Sequence, residues 1–191
     1  MSLRVIAGTA RGMKLKPVPG CSTRPIMDRV KEALFNIIGS DIRDANILDL
    51  FAGTGSVGIE ALSRGAARAH FNERDRAAIK TIYHNLDHTG LKSKARVTRR
   101  DAFDLISRSP ERNYRFIYVA PPQYKGIWLK TLAAFDANRQ WHNPDRQIIV
   151  QIDPNEYDAK PAFERLTECD RRKYGRTMLL FYRFALHSDA R

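Results

Sequence analysis

An acid followed by closely spaced glycines stands where a ligand could lie directly on the backbone. In Asp49-Leu50-Phe51-Ala52-Gly53-Thr54-Gly55-Ser56-Val57-Gly58 an apolar stretch ends, a glycine turn follows and a helical pattern begins. That is the setting in which a chain approaches a nucleotide closely. Gly53, Gly55 and Gly58 match GxGxxG, so the pyrophosphate of a dinucleotide is one candidate occupant. Asp49 argues for another, because a pyrophosphate gains nothing from a carboxylate whereas the ammonium of an amino-acid moiety does. S-adenosylmethionine carries such an ammonium and is the occupant expected, ahead of a dinucleotide or a purely structural turn. Phe51, Ala52, Gly53, Thr54 and Gly55 would line it. Glu73, at the end of the next strand with Arg74 after it, would take ribose hydroxyls under either nucleotide reading and does not choose between them. Asp101, beside Ala102 and Phe103, stands where a carboxylate could meet an adenine amino group. Its other use is as a helix N-cap, and the two are compatible.

A second cluster closes the fourth apolar strand, where Phe116-Ile117-Tyr118-Val119 runs into Ala120-Pro121-Pro122-Gln123-Tyr124. A Pro-Pro pair cannot continue a hydrogen-bonded ladder and makes a stiff rim at the sheet's carboxyl edge, the edge where open α/β sheets bind ligands. Enzymes that methylate exocyclic amines normally read Asn/Asp-Pro-Pro-Tyr/Phe here. The acid or amide and the first proline's carbonyl accept from the amine, and the aromatic ring stacks on the base. In this chain Ala120 takes the place of the acceptor, Gln123 holds the aromatic position and Tyr124 follows one residue late. Losing one preorganised hydrogen-bonding group costs about 10²–10³ in rate. The Pro121 carbonyl would then need help from Gln123, Tyr124 or an ordered water.

Rigid elements must hold these groups. Residues 3–7 and 13–16 read as the strands of a β-hairpin around Gly8-Thr9-Ala10-Arg11-Gly12, carrying Arg4, Arg11, Lys14 and Lys16. Ile26, Val30, Ala33, Leu34, Ile37 and Ile38 recur at helical spacing until Gly39. From Asn46 onward strands (47–50, 67–72, 95–98, 115–119, 147–152) alternate with helices (56–63, one capped by Asp75, a short one after Asp101, and 127–135). The helix after Asp75 shows a stripe of Ile79, Ile82, Tyr83 and Leu86 expected to be buried. Such alternation implies βαβ units and a parallel sheet covered on both faces. The end differs: 163–172 and 176–184, joined at Tyr174-Gly175, read as an antiparallel hairpin.

With 33 Lys and Arg against 21 Asp and Glu, the 191 residues carry +12, which favours a polyanionic partner, nucleic acid before a membrane surface. Cys21 and Cys169 are far apart and suggest neither a disulfide framework nor a zinc site. His84 and His88, four apart on a helix, have no third ligand in the pattern, so no metal is expected. Trp128 and Trp141 are expected to pack, and Arg99-Arg100 and Arg171-Arg172-Lys173 to form exposed faces. With no apolar run long enough to span a membrane and no leader pattern, a cytoplasmic monomer is expected.

The chain resembles the RsmD family of bacterial methyltransferases, which methylate N2 of a guanine in 16S ribosomal RNA. The resemblance rests on Arg4-Val5-Ile6-Ala7-Gly8, Arg11-Gly12, Thr23-Arg24-Pro25 and Asp28-Arg29-Val30-Lys31-Glu32-Ala33-Leu34-Phe35-Asn36. It continues through Asp49 to Gly55, Gly58, Glu60-Ala61, Arg64-Gly65-Ala66, Glu73, the Pro-Pro pair and Tyr174-Gly175. It implies an α/β class I methyltransferase fold, Rossmann-like, with a mostly parallel seven-stranded sheet and a terminal antiparallel hairpin. Residues 1–40 would be a β-hairpin and helix extension, and 41–188 the methyltransferase domain. S-adenosyl-L-methionine would be held by Asp49, Phe51, Ala52, Gly53, Thr54, Gly55, Glu73, Arg74, Asp101 and Ala102, with Ala120, Pro121, Pro122, Gln123 and Tyr124 at the reacting centre. Arg4, Arg11, Lys14, Arg24 and Asp28 would face the RNA of a small-subunit assembly intermediate. The competing expectation, a weak or inactive RNA- or ribosome-binding protein on the same fold, follows from Ala120.

Overall fold

The computed structural model describes residues 3–20, 26–157 and 162–185; Cys21, Thr23, Arg24 and Pro25 lie outside them. Seven strands form one sheet: β1 (Asn46–Asp49), β2 (Arg68–Asn72), β3 (Ala95–Thr98), β4 (Phe116–Val119), β5 (Gln147–Ile152), β6 (Leu166–Tyr174) and β7 (Thr177–Phe184). Their order is β3-β2-β1-β4-β5-β7-β6. The first five strands are parallel, and β7 runs antiparallel to β5 and β6. The helices are α1 (Asp28–Ile38), α2 (Ser56–Ser63), α3 (Arg76–Thr89), α4 (Ala102–Ile106) and α5 (Ile127–Ala137). This is the expected class I methyltransferase architecture.

Helices cover both faces, which is why a central strand such as β4 is buried at every position. One face packs Ile47, Phe71, Tyr118 and Phe181 under residues of the N-terminal segment, α1, α2 and α3, among them Val5, Leu34, Ile59 and Ile82. The other packs Leu48, Ile117, Val150 and Leu180 against α4 and α5, with Trp128 and Trp141 fully buried. The tryptophans are core residues, as the sequence suggests. Between β1 and β4 the winding of the sheet reverses, so a crevice opens at their carboxyl ends. Gly58 lets α2 settle onto β2, since a Cβ there would come within 2.3 Å of the Phe71 ring.

Two expectations are corrected. The N-terminal hairpin forms but is shorter than expected: Arg4 and Lys14 make an antiparallel bridge, flanked by backbone hydrogen bonds from Val5 to Met13 at 2.9 Å and from Leu15 to Leu3 at 2.7 Å. Ile6 and Ala7 spend their N–H groups on the Glu60 carboxylate of α2, at 2.8 and 3.0 Å, and so cannot extend a ladder. On α3 the buried face is Ala78, Thr81, Ile82, Asn85, Leu86 and Thr89, while Tyr83 is 40% exposed. Asn85 turns inward because the carbonyls of Lys16 and Thr54 need its amide, at 3.1 and 3.0 Å. Tyr83 lies instead under the Lys92 ammonium. His84 and His88 stack on each other on the exposed side of the helix.

Candidate active site

Asp49 ends β1 between its register partners Phe71 of β2 and Tyr118 of β4. It is only 2% exposed, and among the described residues the Gly58 N–H, 3.2 Å from Oδ2, is its sole donor. Burial pushes its pKa up to about 7; the Gly58 amide works against this and the nearby Glu73 charge adds to it. A carboxylate so held is short of a cation. Past Asp49 the chain stays pinned to the sheet, with the Leu50 N–H on the Tyr118 carbonyl and the Ala52 N–H on the Asn72 carbonyl, both at 3.0 Å. It then turns through Gly53 (φ 52°) and Gly55 (φ 76°), left-handed conformations that favour glycine. Phe51, Gly53 and Thr54 are half-buried, and Ala52 and Gly55 buried.

Glu73 closes the loop from the side. Its Oε2 accepts from the Gly53 N–H at 2.8 Å, and its Oε1 accepts from Arg74 and Asp75 at 2.7 and 2.9 Å. Asp101 caps α4 by accepting from Phe103 at 2.9 Å, and its other oxygen is 3.7 Å from Arg74, which is largely exposed. Ala102 is buried behind it. The ends of β1 and β3 that carry these acids are joined by a partly buried hydrogen-bond chain. Asn72 donates to the carbonyls of Leu50 and Arg100, and the Thr98 hydroxyl donates to Asn72 at 3.0 Å. His70 completes it, with Nε2 2.7 Å from the Thr98 oxygen and Nδ1 2.7 Å from the Tyr114 hydroxyl. Thr98 spends its proton on Asn72, which assigns the histidine proton to Nε2 and makes Nδ1 the acceptor. Burial holds the His70 pKa down to about 4, so the ring is neutral.

Across the crevice, Ala120 is half-buried, Pro121 buried, and Pro122, Gln123 and Tyr124 exposed. Tyr124, 62% exposed, has φ 61°, uncommon for an aromatic residue. The Asp153 carboxylate beside its hydroxyl raises its pKa, and Arg176 opposes the rise. The buried Tyr118 hydroxyl donates to Oε1 of Gln151 on β5. Gln151, Asn85 and the His70 chain carry no motif that would single them out in the sequence.

The basic N-terminal segment is clamped to α2 beside this site. Glu60, fully buried, accepts from Ile6, Ala7 and Arg64 and pairs with the equally buried Lys31 at 3.3 Å. Ser63 takes Thr9 on its carbonyl and Ala10 on its hydroxyl. Gly8 approaches so closely that a Cβ would fall 1.8 Å from the Ser63 carbonyl oxygen. Arg11, Lys14 and Lys16 remain exposed, and Arg4 pairs with Asp28 at 3.0 Å. Arg24 lies outside the described residues. Asn85, bonded to both Lys16 and Thr54, ties this segment to the glycine loop.

The family model described as conserved hypothetical protein 95 matches residues 3–183. The chain is 39% identical over 150 residues to ribosomal RNA small subunit methyltransferase D of Escherichia coli K12, covering 78% of this chain and 74% of that one. It is 38% identical over 183 residues to YlbH of Bacillus subtilis 168, covering 95% and 98%. The solved structure of yhhF from Escherichia coli superposes with a TM-score of 0.81 at 33% identity, covering 96% of this chain and 98% of that one.

Proposed function

Since the chain belongs to the family described as conserved hypothetical protein 95, the RsmD family, and is an S-adenosylmethionine-dependent ribosomal RNA methyltransferase, we propose that its target is the exocyclic N2 of a guanine in small-subunit RNA. The observation that carries this reading is Asp49, a buried carboxylate with a single donor among the described residues, at the head of a glycine turn and at the switch point where the Pro-Pro rim also lies. The donor set fits the cofactor. Asp49 accepts from the ammonium. Glu73 keeps lone pairs for ribose hydroxyls while holding Gly53. Asp101 serves both as N-cap and as acceptor for the adenine amino group, with Phe51, Ala52, Thr54, Gly55, Arg74 and Ala102 around it. When bound, the cofactor supplies an electrophilic methyl group.

The chain's own residues orient the acceptor. The Pro121 carbonyl takes one N–H of the amine, and the stiff Pro-Pro rim keeps that carbonyl in place. Tyr124 offers its exposed ring to the base. Arg4, Arg11, Lys14 and Arg24 meet phosphates, with Asp28 orienting Arg4. The protein acts as a monomer in the cytoplasm on an assembly intermediate of the small subunit. No helix among the described residues is long and apolar enough to cross a membrane. Ala120 favours a second reading, a binder without activity. The test is transfer of labelled methyl from S-adenosylmethionine to naked 16S RNA and to small-subunit particles, followed by nucleoside analysis. Label in N2-methylguanosine is expected. RNA and cofactor binding with no transfer to either substrate would favour the binder.

A further inference from the structure

The geometry points to Gln151 as the side chain that holds the substrate amine in place of the acceptor missing at Ala120; this rests on the proposed guanine-N2 reading. Strands β4 and β5 are parallel with Val119 opposite Val150, so Ala120 and Gln151 are the next pair in that register. Alternate residues share a face. Tyr118, Ala120 and Ile149 lie on the face that also carries Phe71 and Phe181, and Gln151 follows Ile149 by two. Adjacent strands are about 4.8 Å apart, so the small Ala120 methyl leaves the Gln151 carboxamide beside the position an acid would occupy. Both residues are half-buried at the carboxyl edge.

The carboxamide is already oriented. Tyr118, 3% exposed and in register with Asp49, donates its hydroxyl to Oε1. That leaves Oε1 one further lone pair, and Nε2 two N–H groups with no protein partner among the described residues. A carboxylate offers two acceptors and suits the adjacent N1–H and N2–H donors of guanine. A carboxamide offers an acceptor beside a donor and suits the N2–H and N3 pair instead. Gln151 therefore accepts from N2–H and donates to N3, holding the amine next to the Pro121 carbonyl, and N3 becomes a determinant of specificity.

The experiment compares two 16S transcripts, one with guanosine and one with 3-deazaguanosine, whose pairing edge is unchanged. Methyl transfer is measured under single turnover, and RNA affinity with the demethylated cofactor bound. In wild type the deaza transcript should lower kcat/KM about tenfold or more and weaken binding a few-fold. Gln151→Ala should lose about 10² in kcat, keep its KM for RNA within about threefold because phosphate contacts set that affinity, and no longer distinguish the transcripts. Tyr118→Phe should fall between the two. Ala120→Asp placed in Gln151→Ala should recover rate without recovering the N3 dependence, which a merely structural role would not produce. A Gln151→Ala protein with wild-type kcat, or a wild type indifferent to N3 in both assays, overturns the inference. If wild type transfers no methyl group yet binds the guanosine transcript more tightly and Gln151→Ala does not, the proposed function fails and the Gln151 contact stands.

Discussion

At the scale of single residues, burial displaces an acid and a base in opposite directions, Asp49 upward and His70 downward. Asp49, with its pKa raised to about 7, is strained as an anion until a cation arrives. Binding the ammonium of S-adenosylmethionine should therefore expel a proton at lower pH. Affinity should be highest above pH 7 and fall by up to about tenfold per unit below it. Calorimetry across pH 5.5–8.5 checks this, and Asp49→Asn should bind more weakly with a flat profile. Without ligand the sign reverses: the fold is favoured with Asp49 protonated and loses stability as pH rises from 3.8 to about 7. Asp49→Asn should then stabilise the free protein at pH 8 by roughly 2–4 kcal/mol in urea titrations. His70 is the converse, a base held neutral with its pKa near 4. Its contribution is complete above pH 6.5 and is lost as pH falls from 6.5 towards 4, up to about 3 kcal/mol. His70→Phe should flatten that part of the stability profile, whatever its absolute stability. A variant retaining the wild-type slope would show that His70 is not the titrating group.

At the scale of elements, α2 does two jobs. Its N-terminus follows the glycine loop and its inner face grips the N-terminal segment through Glu60 and Ser63. The Glu60–Lys31 pair is wholly buried, and burial holds the Lys31 pKa down while Glu60 raises it. Glu60→Ala would leave the buried Lys31 charge with the Arg4 carbonyl but no carboxylate in contact, and strip the Ile6 and Ala7 amides of their acceptor. A loss of about 3–5 kcal/mol in urea stability is expected. Lys31→Met should be milder, because Glu60 keeps Arg64 and both amides. Equal losses for the two would contradict this ordering. The Glu60-Ala61 and Arg4–Gly8 residues that carry the family resemblance are thus parts of one clamp, although fifty-odd positions separate them in the chain.

At the scale of the whole molecule, the +12 charge is partly gathered on a segment that is tied to the cofactor loop by Asn85. The proposed RNA-contacting segment and the proposed cofactor loop therefore belong to one packed body. Affinity for RNA should fall steeply with salt, and Arg11→Ala with Lys14→Ala should flatten the log–log slope by roughly 1–2 units. Filter binding from 50 to 300 mM salt is the check; an unchanged slope would place the RNA surface elsewhere.

The sequence by itself determined what local pattern can encode. The βαβ alternation, the glycine turn with its leading acid, the Pro-Pro rim and the terminal hairpin are each specified by neighbours in the chain, because periodicity and turn chemistry act over a few residues. The Asp75 cap was legible for the same reason. Tertiary structure alone decided the rest. The residues 3–16 hairpin stays short because α2, distant in sequence, takes the Ile6 and Ala7 amides on Glu60. Asn85 displaced Tyr83 from the buried face of α3 because two remote carbonyls needed a donor. The His70 chain and the pairing of Gln151 with Tyr118 exist only where separate strands come into register. Buried polar groups are placed by the partners they must find rather than by hydropathy, and those partners become neighbours only once the sheet has formed.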